Sequence, residues 1–191
     1  MWKLSPMIAY FTASVIGKRY NLKNYERIVS YLKQKGLTVI SDHILKTTEV
    51  EIKTEDKAAR LVFQKKLERW ITSAHFVISE TSYPSTSVGF EISYAVAHHK
   101  PVLLLYNHDS TPPSLLAQYF DEKLICEKYT PTTLQSTIDD FLHYASHTAD
   151  TRFTFFIQPH IAQYLEKVAR KRKIPKSVYL RQLIESDMET E

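Results

Sequence analysis

Glycine is scarce: only Gly17, Gly36 and Gly89 occur in 191 residues. A Walker-type phosphate loop and a G-x-G-x-x-G dinucleotide fingerprint both need clustered glycines, so both are excluded. Cysteine is scarcer still. Cys126 stands alone, which removes a disulfide framework and a cysteine-based zinc site. No apolar run approaches the ~20 residues that a transmembrane helix needs. The stretch Met7–Ile16 is broken by Thr12 and Ser14 and lacks a basic leader, so it reads as a buried strand and not as a signal peptide. Eight histidines are present without H-E-x-x-H or any other ligand spacing, so neither a metal nor a cofactor is expected. His98 and His99 read as the end of a helix, near its negative pole. Cys126 reads as a buried, inert thiol in a strand, and a cytoplasmic, reducing compartment follows.

What is present suits a soluble globular chain: 43% hydrophobic and 24% charged residues. The charge is unevenly spread. Residues 1–151 carry 17 Lys and Arg against 16 Asp and Glu, whereas residues 152–184 carry 8 against 1. The basic character therefore belongs to the C-terminal part. The length fits one domain of ~150 residues with a small appendage.

Strand-like and helix-like patterns alternate over residues 1–147. Strands are expected at Met7–Ala13, Leu37–Ser41, His75–Glu80, Val102–Tyr106 and Leu124–Glu127. Helices are expected at Leu22–Lys35, stopped by Gly36, and at Thr54–Ser73 with Thr54 as cap. In the first, Tyr25, Ile28, Val29 and Leu32 face the core; in the second, Leu61, Leu67, Trp70 and Ile71 do. Further helices are expected at Val88–His99, from Pro112-Pro113 to Phe120, and at Thr132–Ala145. This alternation predicts a flavodoxin-like α/β fold, a five-stranded parallel sheet with helices on both faces. Ligands in such sheets sit at the carboxyl ends of the strands. The segments to search are therefore Thr12–Arg19, Asp42–Leu45, Glu80–Glu91 and Asn107–Ser114.

Residues 148–151 read as a linker to a second unit, residues 152–191. That unit is expected to form a strand at Arg152–Gln158, a helix from Pro159 to near Lys173, a break at Ile174-Pro175 and a helix at Ser177–Glu185. So small a unit cannot bury a core alone; it must pack on the main domain or dimerise.

The most informative stretch is Glu80–Glu91, ETSYPSTSVGFE. It leaves a strand, crosses a Ser/Thr-rich loop and enters a helix at Val88–Phe90. A helix start presents backbone N–H groups to anions, and Ser85, Thr86 and Ser87 add hydroxyl donors. Gly89 permits close approach of a ligand, and Glu91 lies one turn in. The plainer reading of the same residues is structural: Ser85 and Ser87 cap the helix and Glu91 complements its dipole.

These residues resemble the nucleoside 2-deoxyribosyltransferase superfamily. The resemblance rests on Tyr10-Phe11-x-x-Ser14 with Gly17 and Arg19, on Tyr25-Glu26-Arg27-Ile28-Val29, and on Asp42-His43. It rests most on Glu80-x-x-x-Pro84-Ser85-x-x-Val88-Gly89-x-Glu91, with Ala95 and Pro101-Val102-Leu103 beyond. Over residues 7–126 the chain looks most like the branch of 2′-deoxynucleoside 5′-monophosphate N-glycosidases. The resemblance implies that Glu91 is a nucleophilic carboxylate attacking the anomeric carbon, as in retaining glycoside cleavage. Water would then complete hydrolysis, or a second base would complete transfer. It implies that Tyr10 and His43 flank the sugar and base, that Ser14, Ser85 and Ser87 face the phosphate, and that Ser114 reaches into a neighbouring subunit of a homodimer. Where the family carries an aspartate three residues before Trp70, this chain has Leu67; where the branch carries an arginine two residues after Ser14, it has Ile16. Lys18 or Arg19 is the candidate for the lost positive charge, and His43 or Asp42 for the lost proton donor. Glu68 is turned about 100° from position 67 by helical geometry.

Residues 152–185 resemble the ribbon-helix-helix module, with Lys176-Ser177-Val178-Tyr179-Leu180-Arg181-Gln182-Leu183-Ile184 on its second helix. The resemblance implies a paired ribbon in a DNA major groove, read by Arg152, Thr154 and Phe156. Ser177 and Lys176 would hold phosphate, and Arg170–Lys173 would add sequence-independent attraction. The plainer alternative is a dimerisation arm with a solvated basic face. Three functions are thus expected for the whole: an N-glycosidase or deoxyribosyltransferase; a degenerate nucleotide sensor controlling a DNA-binding ribbon; or a glycohydrolase of another nucleotide such as NAD.

Overall fold

The computed structural model describes residues 7–107, 110, 123–147, 157–172 and 176–188. Two units emerge, Met1–Asp150 and Thr151–Glu191. In the first, β1 (Ile8–Ala13), α1 (Lys18–Gln34), β2 (Thr38–Ile40), α2 (Asp42–Leu45), α3 (Glu49–Thr54) and α4 (Lys57–Ser73) precede β3 (Phe76–Glu80). Then come α5 (Thr86–Ala97), β4 (Val102–Asn107), β5 (Leu124–Tyr129) and α6 (Leu134–His147). The strands form one parallel sheet in the order β2-β1-β3-β4-β5, the flavodoxin-like order.

Side-chain alternation along β1 and β3 divides the core in two. Ala9, Phe11 and Ala13 with Phe76 and Ile78 point to the face covered by α1 and α6. Tyr10 and Val77 point to the face covered by α4 and α5. Both β1 and β3 are buried along their whole length apart from Ile8, as expected of central parallel strands. Each fully covered large side chain contributes about 1.5–3 kcal/mol through lost apolar hydration. Tyr25, Ile28, Val29 and Leu32 form the buried stripe of α1. That helix ends in a Schellman motif: Gly36 has φ +82°, its N–H reaches Lys33 O, and Leu37 N–H reaches Leu32 O.

Several elements differ from the sequence expectation. The long fourth helix begins at Lys57, where Asp56 accepts the Ala59 N–H at 2.7 Å; Thr54 instead ends the separate helix α3. Leu61 is 55% exposed, since it lies six residues from Leu67 and so about 120° around the helix, while Leu67 and Ile71 are buried and Trp70 is half-buried. Helix α1 starts at Lys18, four residues before Leu22, and α5 starts at Thr86. Cys126 lies half-buried on the edge strand β5 rather than in the core. His98 caps α5, and His99 follows it at φ 56°.

In the second unit, α7 (Pro159–Arg172) buries Leu165 and Ala169, and α8 (Lys176–Met188) buries Tyr179, over whose ring the Arg172 guanidinium lies at 4.9 Å. Ile157 and Gln158 precede α7 without forming a strand, and the rest of the expected ribbon, including Arg152, Thr154 and Phe156, lies outside the described residues. So do Ser114 and the expected helix after Pro112-Pro113. Among the described residues, no helix is long and apolar enough to cross a membrane.

Candidate active site

Helix α5 buries Val88, Glu91, Ile92 and Ala95, a stripe at helical spacing in which one member is a carboxylate. That stripe packs on the sheet face bearing Tyr10 and Val77. Glu91 is 4% exposed. The Tyr10 hydroxyl donates to its Oε2 at 2.8 Å. Burial pushes the Glu91 carboxyl above the usual carboxylate range; Thr12 and Tyr10 offset part of that rise. Burial and the adjacent carboxylate push the Tyr10 phenol far above its ordinary value, so it keeps its proton and acts as a permanent donor.

Thr12 lies two residues beyond Tyr10 on the same face of β1, and Ser79 of β3 is its register partner. Both hydroxyls are buried with no hydrogen-bond partner of good geometry within the protein, and so is that of Ser41, at the end of β2. Buried polar groups are rarely left unpaired, and these three lie at the carboxyl edge of a parallel sheet, the edge where ligands of such folds bind.

His43 completes the set. The α2 turn lays its ring on that of Tyr10 (centroids 4.9 Å apart, planes at 19°) and beside Trp70 (5.2 Å) and Phe63 (6.4 Å). It is 8% exposed, and neither ring nitrogen has a partner. Burial pushes its pKa down from 6.5 to about 4, with Asp42 opposing slightly. At neutral pH the ring is therefore an uncharged imidazole with one N–H and one lone pair, and it holds no imidazolium proton to give. Asp42 is exposed and paired with Lys46 at 2.6 Å, so it takes no part in this cluster.

No second carboxylate supports Glu91 from the described residues. Leu67 is buried in the same apolar cluster as Tyr10, Ile71 and Ile92. Glu68 accepts from Gln64 at 3.0 Å on the outer side of α4. Glu80 is fully buried, but its place in β3 puts it with Ile78 on the opposite face of the sheet.

The anion end is less charged than the sequence suggested. Ser14 Oγ accepts the Gly17 N–H at 3.1 Å, shaping the turn into α1, and keeps its own proton free to donate. Ser85 caps α5 by accepting the Val88 N–H at 3.4 Å, Ser87 is exposed in the first turn, and the space over Gly89 is open. Lys18 donates to the carbonyls of Leu45 and Thr47, and Arg19 forms a two-pronged ion pair with Glu49. Both cations are thus held against the α2–α3 segment, while Ile16 stands 42% exposed. Among the described residues, no group of three or more His, Cys, Asp and Glu is placed to hold a metal ion.

Ser41, Ser79 and Phe63 were given no role from the sequence, and Thr12 figured only as a break in an apolar run and the start of a segment to search. The one usable signal was Tyr10-x-Thr12, two polar-tipped residues on one face of an otherwise apolar strand.

A doubly wound sheet with a buried carboxylate on the helix after its central strand places the domain in the α/β class whose ligands bind at the strand ends. The family described as nucleoside 2-deoxyribosyltransferase matches residues 9–142, and the chain belongs to that family. The human 5-hydroxymethyl-dUMP N-hydrolase is 38% identical over 103 residues, 53% of this chain and 58% of that protein. Its mouse counterpart is 34% identical over 110 residues, 56% of this chain and 62% of that protein. The putative 2′-deoxynucleoside 5′-phosphate N-hydrolase 1 of Methanosarcina barkeri is 29% identical over 145 residues, 73% of this chain and 87% of that protein. The match thus spans about three fifths of the length of the two mammalian relatives. A solved CMP N-glycosidase from Clostridium botulinum aligns at 15% identity and TM-score 0.46, over 69% of this chain and 98% of that one.

Proposed function

We propose that this protein is an N-glycosidase that cleaves, or transfers, the glycosidic bond of a 2′-deoxynucleoside 5′-monophosphate or a closely related nucleoside. The observation that carries the reading is the buried Glu91 carboxylate, oriented by Tyr10 among unpaired polar groups at the carboxyl edge of the sheet. Family membership and relatives named as nucleotide N-hydrolases support it.

In the chemistry that follows, Glu91 attacks C1′ of the sugar; the new bond is Oε–C1′ and the bond broken is C1′–N to the base. Tyr10 holds one carboxylate oxygen and so aims the other. The neutral His43 ring and the aromatic faces of Trp70 and Phe63 border the base side, where the imidazole N–H or lone pair hydrogen-bonds the leaving base. Water then attacks C1′, forming the new C1′–O bond and breaking Oε–C1′ to free the sugar and restore the carboxylate, and the proton that water gives up balances the one the departing base takes from solvent. Ser14, Ser85 and Ser87 face the 5′-phosphate. A reducing compartment such as the cytoplasm suits the free, half-buried Cys126.

Incubation with nucleosides, nucleoside 5′-monophosphates and NAD, followed by chromatography for free base, tests this. Glu91→Gln should lower base release by at least about 10³-fold, the scale set by loss of a nucleophile. Release unaffected by that change removes Glu91 from the mechanism; saturable nucleotide binding without turnover makes the domain a sensor.

A second reading concerns the C-terminal unit. Ile161, Tyr164, Leu183, Ile184 and Met188 are 40%, 56%, 47%, 61% and 72% exposed on its two helices. So much uncovered apolar surface on so few residues favours pairing with a second copy. The sequence of the same unit carries Arg170, Lys171, Arg172, Lys173 and Lys176, a charge run that suits a DNA backbone. Light scattering of the full chain against one lacking residues 150–191, with DNA retardation at two salt concentrations, tests both parts. A dimer and a salt-dependent shift that vanish together on deletion support the reading, and an unshifted band at low salt ends the DNA part.

A further inference from the structure

The two buried carboxylates among the described residues lie on opposite faces of the sheet, and the chemistry above uses only one. Glu80 is the last residue of the central strand β3. Its Oε1 accepts the Tyr129 hydroxyl of β5 at 3.0 Å and the Ser82 hydroxyl of the following loop. Ser82 Oγ in turn accepts the Asn107 backbone N–H at 2.9 Å, at the end of β4. The Asn107 side chain donates to Asn21 of α1 at 3.1 Å and accepts the Ser110 hydroxyl at 2.8 Å. Beside this chain, Tyr25 is close enough to feel the Glu80 charge, and its hydroxyl donates to Ser14 O at 3.3 Å. One carboxyl thus connects, through at most two further residues, the segments that leave β3, β4 and β5 and the helix that follows β1.

The loop begun by Ser82 is the loop that ends at Ser85, the cap of α5. Between them Tyr83 stacks on Tyr20 (centroids 5.9 Å apart, planes at 13°) and packs against Gly17, where a side chain would lie 2.7 Å from Tyr83 Cβ. The serines assigned to the phosphate, Ser14 and Ser85, therefore stand on two loops that meet at Gly17–Tyr83 and are tied from beneath through Glu80 and Ser82.

We infer that Glu80 is a positioning residue for the phosphate end of the substrate site. Through Ser82 it fixes the loop that presents Ser85 and Ser87, while Glu91 acts from the other face of the sheet. The inference rests on the nucleotide reading above and goes beyond it by separating binding of the 5′-phosphate from bond cleavage.

The test uses the full chain with Ser82→Ala, Glu80→Ala and Glu80→Gln, and two substrates, a deoxynucleoside 5′-monophosphate and the same nucleoside without phosphate. Ser82→Ala and Glu80→Ala should each raise KM for the monophosphate by about tenfold, the scale of one buried hydrogen bond lost. They should leave kcat, and KM for the nucleoside, within about twofold of the unaltered chain. Glu80→Gln keeps an oxygen acceptor for Tyr129 and Ser82 and should recover the monophosphate KM. Should Glu80→Ala fail to fold, Ser82→Ala decides alone. Equal changes for both substrates, or an unchanged monophosphate KM, overturn the inference. If the unaltered chain releases no base, the enzymatic reading has failed. Calorimetric Kd values for the monophosphate with and without Ser82→Ala then decide the positioning role, and equal Kd values, or no binding by either chain, overturn it.

Discussion

His43 should make this domain acid-labile in a measurable and assignable way. Its ring is covered by Tyr10, Trp70 and Phe63, and burial holds its pKa at about 4 instead of 6.5. A histidine depressed in the folded state favours folding fully above pH 6.5 and loses that contribution as pH falls through 6.5 towards 4. Each tenfold change in proton affinity is worth 1.36 kcal/mol, so the displacement amounts to about 3 kcal/mol between pH 7 and pH 4. Glu91 works in the opposite sense over part of that range, because a carboxyl raised by burial destabilises the fold as it ionises. The comparison must therefore be made against His43→Phe, which keeps an aromatic ring in the stack and cannot titrate. Urea unfolding followed by tryptophan fluorescence suits the measurement, since Trp70 lies 5.2 Å from His43. The difference in unfolding free energy between the two proteins should move by about 3 kcal/mol in favour of His43→Phe from pH 7 to pH 4. Parallel curves would show that the ring is not held neutral, and its exclusion as a proton donor would fall with it.

Other consequences can be checked more briefly. Glu91→Gln should raise the melting temperature at pH 7 to 8 while abolishing base release, and the gain should vanish below pH 4, where both side chains are neutral. For the same reason kcat/KM should rise with pH as Glu91 of the free protein ionises, with its inflection above the usual carboxylate range and no descending limb from His43 between pH 5 and 8. Gly17→Ala would place a methyl group 2.7 Å from both Tyr25 Oη and Tyr83 Cβ, and should destabilise the fold by about 1–3 kcal/mol in thermal or urea unfolding. Leu67→Asp returns a carboxyl to the base side of the cluster; it should speed release of poor leaving-group bases by about 10²-fold or more while lowering stability, and equal rates would deny that side a role in proton transfer.

Much of the sheet was legible because central parallel strands leave little choice: their runs are mostly apolar, with Thr12, Ser79 and Glu80 the exceptions near their carboxyl ends, and the helices between them are amphipathic. Boundaries were less so. Thr54 and Asp56 are both good caps, and only the structure shows Thr54 bonding back to Val50 O at 2.9 Å at the end of α3 while Asp56 starts α4. Leu61, by contrast, stands six residues from Leu67, about 120° around the helix, and so turns away from the face that Leu67 and Ile71 bury. Glu91 could be singled out because it lies one turn into the helix behind a Ser/Thr-rich loop and closes the motif Pro84-Ser85-x-x-Val88-Gly89-x-Glu91. Ser79 could not, since it is an ordinary strand residue until register sets it beside Thr12. Lys18 and Arg19 looked available to a phosphate because their partners, the Leu45 and Thr47 carbonyls and Glu49, lie nearly thirty residues away.

Those two cations give helix α1 an office that no single contact reveals. At its first turn Lys18 and Arg19 clamp the α2–α3 segment that carries His43, while Asn21 and Tyr25 brace the loops on the phosphate side. Both jaws of the proposed site are thus mounted on one rod, so for the nucleotide proposed above the span from base to phosphate would be a fixed calibre, set by the helix and not by any contact made against a molecule of the wrong length.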